Sequence, residues 1–383
     1  LLIERSVIVD SLLNVDCELL ISGDLSKPGL NQQSPINNQK RFNDQRSAKS
    51  KISSNMRARV VTSAVIVAAL AAVLSGQVGN KSWSVPRTPD GHPDMQGVWA
   101  NNGMTPLERP AVWGNRATMT DAELANLKKR AQQLIDGGDA FFADELILAA
   151  LEGKTKFSSA DTQTGNYDQT WLSERIWDNR TSLIFDPPDG RIPAAALGAA
   201  ERARAQAAAR QTRGPADRPQ DLGLSTRCVS AGTPYIRAGY QSYFEVTQGP
   251  GVVVLRSEMI HDARIFPIGG GPHISSAIRQ YHGDSRAHWD GDTLVVDTIN
   301  FSNAGFRGSS DKLHLTEKFK RVADDTLEYT LTIDDPTVWS RPWTLMIPLK
   351  KTGEQMFEFA CHEGNYGLPA ILSGARAQEQ STR

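Results

Sequence analysis

From about Gln241 onward, apolar and polar residues alternate with a period of two. Leu327, Tyr329, Leu331 and Ile333 alternate with Thr326, Glu328, Thr330 and Thr332, and Trp343, Leu345, Ile347 and Leu349 repeat the pattern. Leu313, Leu315 and Phe319 do the same against His314, Thr316 and Lys318, as do Phe357, Phe359 and Cys361 near the end. That period gives each strand one dry and one wet face, as in half-buried antiparallel sheets. Gln248-Gly249-Pro250-Gly251 and Trp289-Asp290-Gly291-Asp292 predict tight hairpins between such strands. About eight or nine strands joined by short turns follow, and closing them on themselves would remove the exposed edges. The expected fold is therefore mainly β with an α-helical N-terminal part. An antiparallel up-and-down (lipocalin-like) barrel is favoured, and a β-sandwich is the alternative. A closed sheet of about eight to ten strands can hold one small ligand.

Ahead of the meander the period changes. Thr120-Asp121-Ala122-Glu123 is a capping box, after which Leu124, Leu127, Ala131 and Leu134 recur at helical spacing until Gly137-Gly138. A second helix is expected from about Asp139 to Glu152, making a helical hairpin. Thr181 to Phe185 is a short candidate strand, and Asp186-Pro187-Pro188-Asp189-Gly190 a turn. Ala194 to Arg210 is rich in alanine and arginine with almost no large apolar residue, which predicts an exposed helix. Residues 81–116 are dense in Pro, Gly, Asn and Trp, so neither a long helix nor a central strand is expected there. His92 sits in the Asp-Gly-His-Pro turn of this segment.

Met56-Arg57-Ala58-Arg59 is a basic stretch, followed by the uncharged apolar run Val60 to Leu74 and then Ser75-Gly76-Gln77. This is the grammar of a secretory signal peptide, and the run is too short for a comfortable membrane span. Gln77 stands where a lipoprotein box needs cysteine. Translation is expected to begin at Met56, with 1–55 a non-native upstream extension and 56–78 the signal peptide. The remaining divisions are 79–223 (the Pro/Trp-rich segment and the helices), 224–376 (the β-barrel domain) and 377–383 (a disordered tail). Residues beyond the leader number roughly 305, enough for one large or two small domains.

Net charge is −1, and no basic stripe with interleaved aromatics appears, so no nucleic-acid partner is expected. Nor is stable membrane insertion expected once the leader is cleaved. Of three cysteines, Cys17 lies in the extension, leaving Cys228 and Cys361 as an even pair in a chain read as exported. A disulfide between them is the leading expectation. The alternative is a reactive or metal-bound thiol at Cys361, beside His362.

Four of the seven histidines fall between His261 and Phe301, with Arg264, Arg286, Trp289 and Asn300. His261, His273, His282 and His288 are twelve, nine and six residues apart, without the close pairs of zinc motifs, so no metal is assigned. No cofactor is assigned either: Gly-x-Gly-x-x-Gly and Walker loops are absent. So is the Gly-x-Ser-x-Gly elbow of Ser hydrolases. Strand parity singles out Glu317, a carboxylate on an otherwise apolar face, where burial is costly unless the charge is paired. Extending the parity of Val253, Leu255 and Met259 places His261 on the dry face too. His261 and Glu317 thus become candidate base and partner, with Arg264 or Arg286 to stabilise an anion. Trp289 would wall the interior and Asn300 reach its mouth. A rim loop bearing Trp339, Arg341 and Trp343 is a second candidate contact for an aromatic or anionic ligand, and His362 and Glu363 would sit at a barrel end.

Four short motifs punctuate the chain: Thr88-Pro89-Asp90-Gly91-His92-Pro93-Asp94 with Gly97-Val98-Trp99, Asp186-Pro187-Pro188-Asp189-Gly190-Arg191-Ile192-Pro193, Gly283-Asp284-Ser285-Arg286 and Cys361-His362-Glu363-Gly364-Asn365-Tyr366. From about Pro86 to Arg376 the chain resembles a family of secreted bacterial proteins abundant in acidobacteria. The resemblance implies export and brings no assigned reaction. The leading functional expectation is an exported barrel that binds a small, largely apolar or aromatic molecule. The alternatives are an enzyme using the same cavity for acid–base chemistry (hydrolysis, isomerisation or dehydration) and a structural or complex-forming envelope protein.

Overall fold

The computed structural model describes residues 83–136, 143–154, 175–211, 214, 216–236, 238–302 and 306–381. The leader and upstream segment, and the turn expected at Gly137-Gly138, lie outside these. Ten strands form one antiparallel sheet. In chain order they are β1 (Gly97–Ala100), β2 (Ile184–Asp186), β3 (Tyr243–Gly249), β4 (Val252–Ser257), β5 (Ala263–Pro267), β6 (Asp284–Asp290), β7 (Thr293–Ile299), β8 (His314–Ala323), β9 (Thr326–Asp334) and β10 (Trp343–Thr352). Neighbours run β5-β4-β3-β1-β10-β9-β8-β7-β6, and β2 pairs with β10 off this path. Two meanders, β3–β5 and β6–β10, are thus bridged by β1. Among the described residues all ten strands belong to a single sheet, so the two separate sheets of the sandwich alternative are not formed there.

The ladder does not close into a barrel. Its terminal strands are β5 and β6, and just past β5 an isolated parallel bridge joins Ile268 to Ala287. There the Gly269 N–H donates to the Ala287 carbonyl at 3.0 Å.

Alternation fixes what lies inside. Phe244, Val246, Val253, Leu255, Phe266, Leu315, Phe319, Leu331 and Leu345 are buried in one cluster with Trp99 of β1 and Trp343 of β10. Wet faces carry the threonines and lysines of β8 to β10. Two features differ from expectation. First, β1 comes from the Pro/Trp-rich segment, where no central strand was expected; its four residues fill the gap between β3 and β10. Second, Phe357, Phe359 and Cys361 form no strand. This stretch crosses the turn after β4 as a strap instead: the Phe357 N–H donates to Glu258 Oε1 at 3.3 Å, and the Phe359 carbonyl lies 3.2 Å from His261 Nδ1. Phe357 itself is 70% exposed, so no partner sheet covers it.

The helical part follows its sequence closely. α1 (Asp121–Ile135) starts with the Thr120–Glu123 capping box, and Leu127, Ala131 and Leu134 turn inward. α2 (Ala143–Leu151) packs Leu146, Ile147 and Ala150 into the same small cluster as Trp113 and Met119. α3 (Ala199–Gln211) is the alanine- and arginine-rich helix. α4 (Gly367–Ser381) occupies the end of the chain, including positions expected to form an unstructured tail. Arg376 ties it to the Ala216 and Asp217 carbonyls.

The Asp186–Gly190 turn is a fixed corner. Gly190 has φ +72°, and a Cβ there would sit 2.9 Å from the guanidinium carbon of buried Arg109. That guanidinium bonds Thr181 Oγ1 and the Pro188 carbonyl, each at 2.9 Å. A side chain at 190 would therefore be both strained and displaced. Cys228 and Cys361 form a disulfide with Cα atoms 5.6 Å apart, across a separation of 133 residues. Beside it, Asn365 Nδ2 donates to the Thr226 carbonyl at 2.9 Å. No helix among the described residues is long and apolar enough to cross a membrane.

Candidate functional site

Glu317 is fully buried on the dry face of β8, as its parity requires. Its partner is not His261. Between β4 and β5 lies a short 3-10 turn, Met259–His261, in which Ile260 and His261 take φ of +56° and +45°. The turn shifts parity by one. Val253, Leu255 and Ser257 point inward on β4, but Arg264 and Phe266 do so on β5, while Ala263 and Ile265 face solvent. His261 is exposed. The side chain brought to Glu317 is Arg264, whose two terminal nitrogens donate to the two carboxylate oxygens at 2.8 and 2.6 Å.

The pair is embedded in a network. Tyr329 OH donates to Glu317 Oε1, and Arg264 Nη2 lies 3.3 Å from Thr298 Oγ1, which is 2.9 Å from Ser285 Oγ. Phe266 lies beneath the guanidinium, 4.9 Å from it, and Phe319 stacks on Tyr329 at 4.5 Å. Burial opposes the Arg264 charge most strongly, but the Glu317 carboxylate outweighs it and holds the guanidinium above its usual range. Burial, then the Glu317 charge, pushes the Tyr329 hydroxyl well above the ordinary tyrosine range. Both Glu317 oxygens are therefore occupied, and the group is an anchor rather than a free base.

A pocket opens above this network. Its enclosed part admits a group of about water size, and the concavity spans about 310 Å³ only when the open solvent of its mouth is counted. Tyr235, Phe244, Leu255 and Tyr329 supply apolar walls, and Arg264 lines it with Thr233, Ser257, Asp262 and His282. Three chain segments meet here. His282 Nδ1 lies 2.7 Å from Thr233 Oγ1, and His282 Nε2 lies 3.5 Å from Asp262 Oδ1. The second Asp262 oxygen accepts from Ser230 Oγ at 3.0 Å and from the Ala231 N–H at 2.8 Å. Gly283 sets the path that delivers His282: its φ is +71°, and a Cβ would come within 2.8 Å of the Ile299 carbonyl. The disulfide is five residues ahead of Thr233, so the loop that forms this wall is pinned at Cys228.

A second polar cluster lies on the outer side of β6–β8. His273 Nδ1 is 2.8 Å from Asp284 Oδ2, and its Nε2 is 2.8 Å from Asp297 Oδ1. His314 contacts the other oxygen of Asp297, and Arg286 donates to Asp284 Oδ1 at 2.6 Å. Burial pushes the Asp284 carboxyl up. The Ile274 N–H, His273 and Arg286 outweigh that and leave it below the usual range. For Asp297 burial again opposes, and the hydrogen bonds from His314 and His273 prevail, leaving it lowered.

The remaining sequence candidates are dispersed. Arg286 belongs to the outer cluster and also holds the Gly271 carbonyl at 3.1 Å. Trp289 is partly buried against the core and stacked on His92, with ring centroids 4.8 Å apart. Asn300, at φ +62°, donates to the Ile274 carbonyl at 3.0 Å and anchors a loop. Trp339 and Trp343 are buried edge to face at 5.6 Å, so they plug the core and form no open aromatic wall. Arg341 pairs with Asp186 at the surface, at 2.6 Å. His362 and Glu363 are exposed in the turn after the disulfide. Among the described residues, no group of three or more His, Cys, Asp or Glu is placed to hold a metal ion. Thr233, Asp262 and Tyr235 were not singled out from sequence, because their convergence depends on loops distant in the chain. Only the Thr233-Pro234 dipeptide and the position of Asp262 beside His261 mark them locally.

No family model matches the chain, and no curated protein is similar to it. Among solved structures, the chain is similar to a secretory abundant heat soluble (SAHS) protein from Ramazzottius varieornatus. The identity is 11%, covering 29% of this chain and 70% of that one, at a TM-score of 0.20. A likeness at that score carries no argument for fold or function.

Proposed function

We propose that the protein binds a small molecule in the pocket between Thr233, His282 and Leu255. The ligand would have an apolar or aromatic body and one small hydrogen-bonding group. The observation that carries this reading is the convergence of Thr233, Asp262 and His282, from three separate segments, on a concavity walled by Tyr235, Leu255 and Tyr329. The narrow enclosed part favours a ligand that inserts only its polar group, while its body rests at the mouth against Tyr235. We further infer that the sheet curls into an incomplete barrel. The Ile268–Ala287 bridge and the reach of Arg264 from β5 to Glu317 on β8 support that curvature. Export is part of the same proposal, supported by the Cys228–Cys361 disulfide, the Met56–Gln77 pattern and the family resemblance.

The test is native mass spectrometry of protein exported from a start at Met56, compared with Leu255→Trp, whose indole would fill the pocket. The reading expects a co-purifying mass on the wild type that is absent from a folded Leu255→Trp. Equal retention by both proteins would contradict it.

A further inference from the structure

We propose that the pocket is also a hydrolytic site for small carboxylic esters, with Thr233 as nucleophile, His282 as general base and Asp262 as the residue that positions His282. This rests on the reading of the pocket as a ligand site. The geometry supplies a nucleophile within hydrogen-bond reach of a base, and the base oriented by a third group. Thr233 Oγ1 is 2.7 Å from His282 Nδ1. Asp262 faces the other ring nitrogen at 3.5 Å and is itself held by Ser230 and the Ala231 N–H. A carboxylate on that side favours the tautomer with hydrogen on Nε2, so Nδ1 presents its lone pair to the hydroxyl. The 3.5 Å separation is long for a hydrogen bond, but such contacts tighten when charge forms on the imidazole.

Arg264 supplies the independent observation. It lines the same pocket, is 91% buried by its 9% exposure, and its Nε–H has no hydrogen-bond partner among the described residues. The network that fixes its terminal nitrogens leaves that donor uncommitted, and it is assigned to the oxyanion that develops on the ester.

The steps balance without any further reactant than water. Thr233 Oγ attacks the ester carbonyl carbon as its proton moves to His282 Nδ1. The carbonyl electrons shift to oxygen and return as the C–O bond to the alcohol breaks, and the departing alcohol takes the proton from His282. A water, deprotonated by His282, then attacks the acyl-threonine. The acid leaves, and Thr233 Oγ recovers the proton. Burial of Thr233, which is 4% exposed, and the narrow enclosed space restrict the acyl group to a short one.

The probe is p-nitrophenyl acetate with the full chain, read by nitrophenolate release and by peptide mapping of the acetylated protein. We expect saturable turnover and an acetyl group on Thr233. Thr233→Ala, Thr233→Val and His282→Ala should each lose at least ~100-fold in kcat, the lower end of what a positioned base contributes. Thr233→Ser should restore turnover. Asp262→Asn should lower kcat with KM unchanged, a split that a purely structural role would not produce. Turnover unchanged in folded Thr233→Val, or acetyl found elsewhere, overturns the relay. Acetanilide, the uncleaved amide analogue, separates the two readings. Binding of acetanilide at the pocket without ester cleavage removes the relay and leaves the binding proposal. Failure of both probes removes both.

Discussion

Two clusters in this molecule use the same kinds of side chain for different ends. Inside the sheet, Arg264, Glu317 and Tyr329 are buried, with Glu317 at 0% exposure and only Arg264 and Tyr329 edging the pocket. Outside it, His273, Asp297, His314 and Arg286 form a chain of imidazoles, a carboxylate and a guanidinium that solvent reaches, with Asp284 tucked beneath them at 6% exposure. The inner cluster is held by the cost of any alternative: a buried charge without its partner is worth several kcal/mol of penalty. The outer cluster is held by many modest bonds that salt and protons can loosen. Burial, rather than residue type, decides which cluster is an anchor and which responds to conditions.

The largest expected effect lies inside. Glu317→Ala leaves the Arg264 guanidinium buried and unpaired, and should cost about 3–5 kcal/mol in urea unfolding. Glu317→Leu combined with Arg264→Met should recover much of that loss, since replacing both charges by apolar groups of similar volume is often nearly neutral. If the double variant were as unstable as the single, the pair would have to contribute beyond its mutual compensation.

Outside, Asp284→Asn should cost about 1.5–3 kcal/mol, the range for hydrogen bonds to a charged group. Its pH dependence sharpens the comparison. The Asp284 and Asp297 carboxyls lie below their usual range when folded. Their contribution is therefore fully present above the unfolded carboxylate value of about 3.9 and is lost as pH falls through the lower folded values. Acid titration of stability should thus show a shallower decline below about pH 4 in Asp284→Asn than in wild type. About 1 M salt should weaken the contribution of the half-exposed Asp297–His314 contact while leaving the Glu317→Ala penalty nearly unchanged. The smallest effect belongs to Arg341→Ala. Its ion pair with Asp186 is half exposed on both sides, so it should cost no more than about 1 kcal/mol and leave ligand retention untouched.

The sheet was legible wherever alternation was strict, because period two fixes a face for every residue along one uninterrupted strand. Glu317 was found that way, as a carboxylate out of place. Legibility failed where the strand was interrupted. Two left-handed residues, Ile260 and His261, slip the count between β4 and β5. That one-residue slip sent His261 outward and Arg264 inward. β1 was hidden because four residues, Gly97–Ala100, carry too little pattern and owe their place to partners about 150 and 250 residues away. The strap at 353–360 alternates like a strand, but no strand among the described residues pairs with it. The pocket was the least visible feature. Thr233 and His282 are distant in sequence, in segments without period, and only the folded path through Gly283 brings them together.

The central claim is that the concavity at Thr233, His282 and Leu255 is where a small molecule sits, and its most direct test is a titration of benzamide into ¹⁵N-labelled protein. Benzamide joins an aromatic body to one small hydrogen-bonding group. The account predicts saturable shifts concentrated at the amides of Thr233, Tyr235, Ser257 and His282, with the Trp339–Trp343 region silent. Shifts centred on Trp339–Trp343, or none up to the solubility limit, would contradict it.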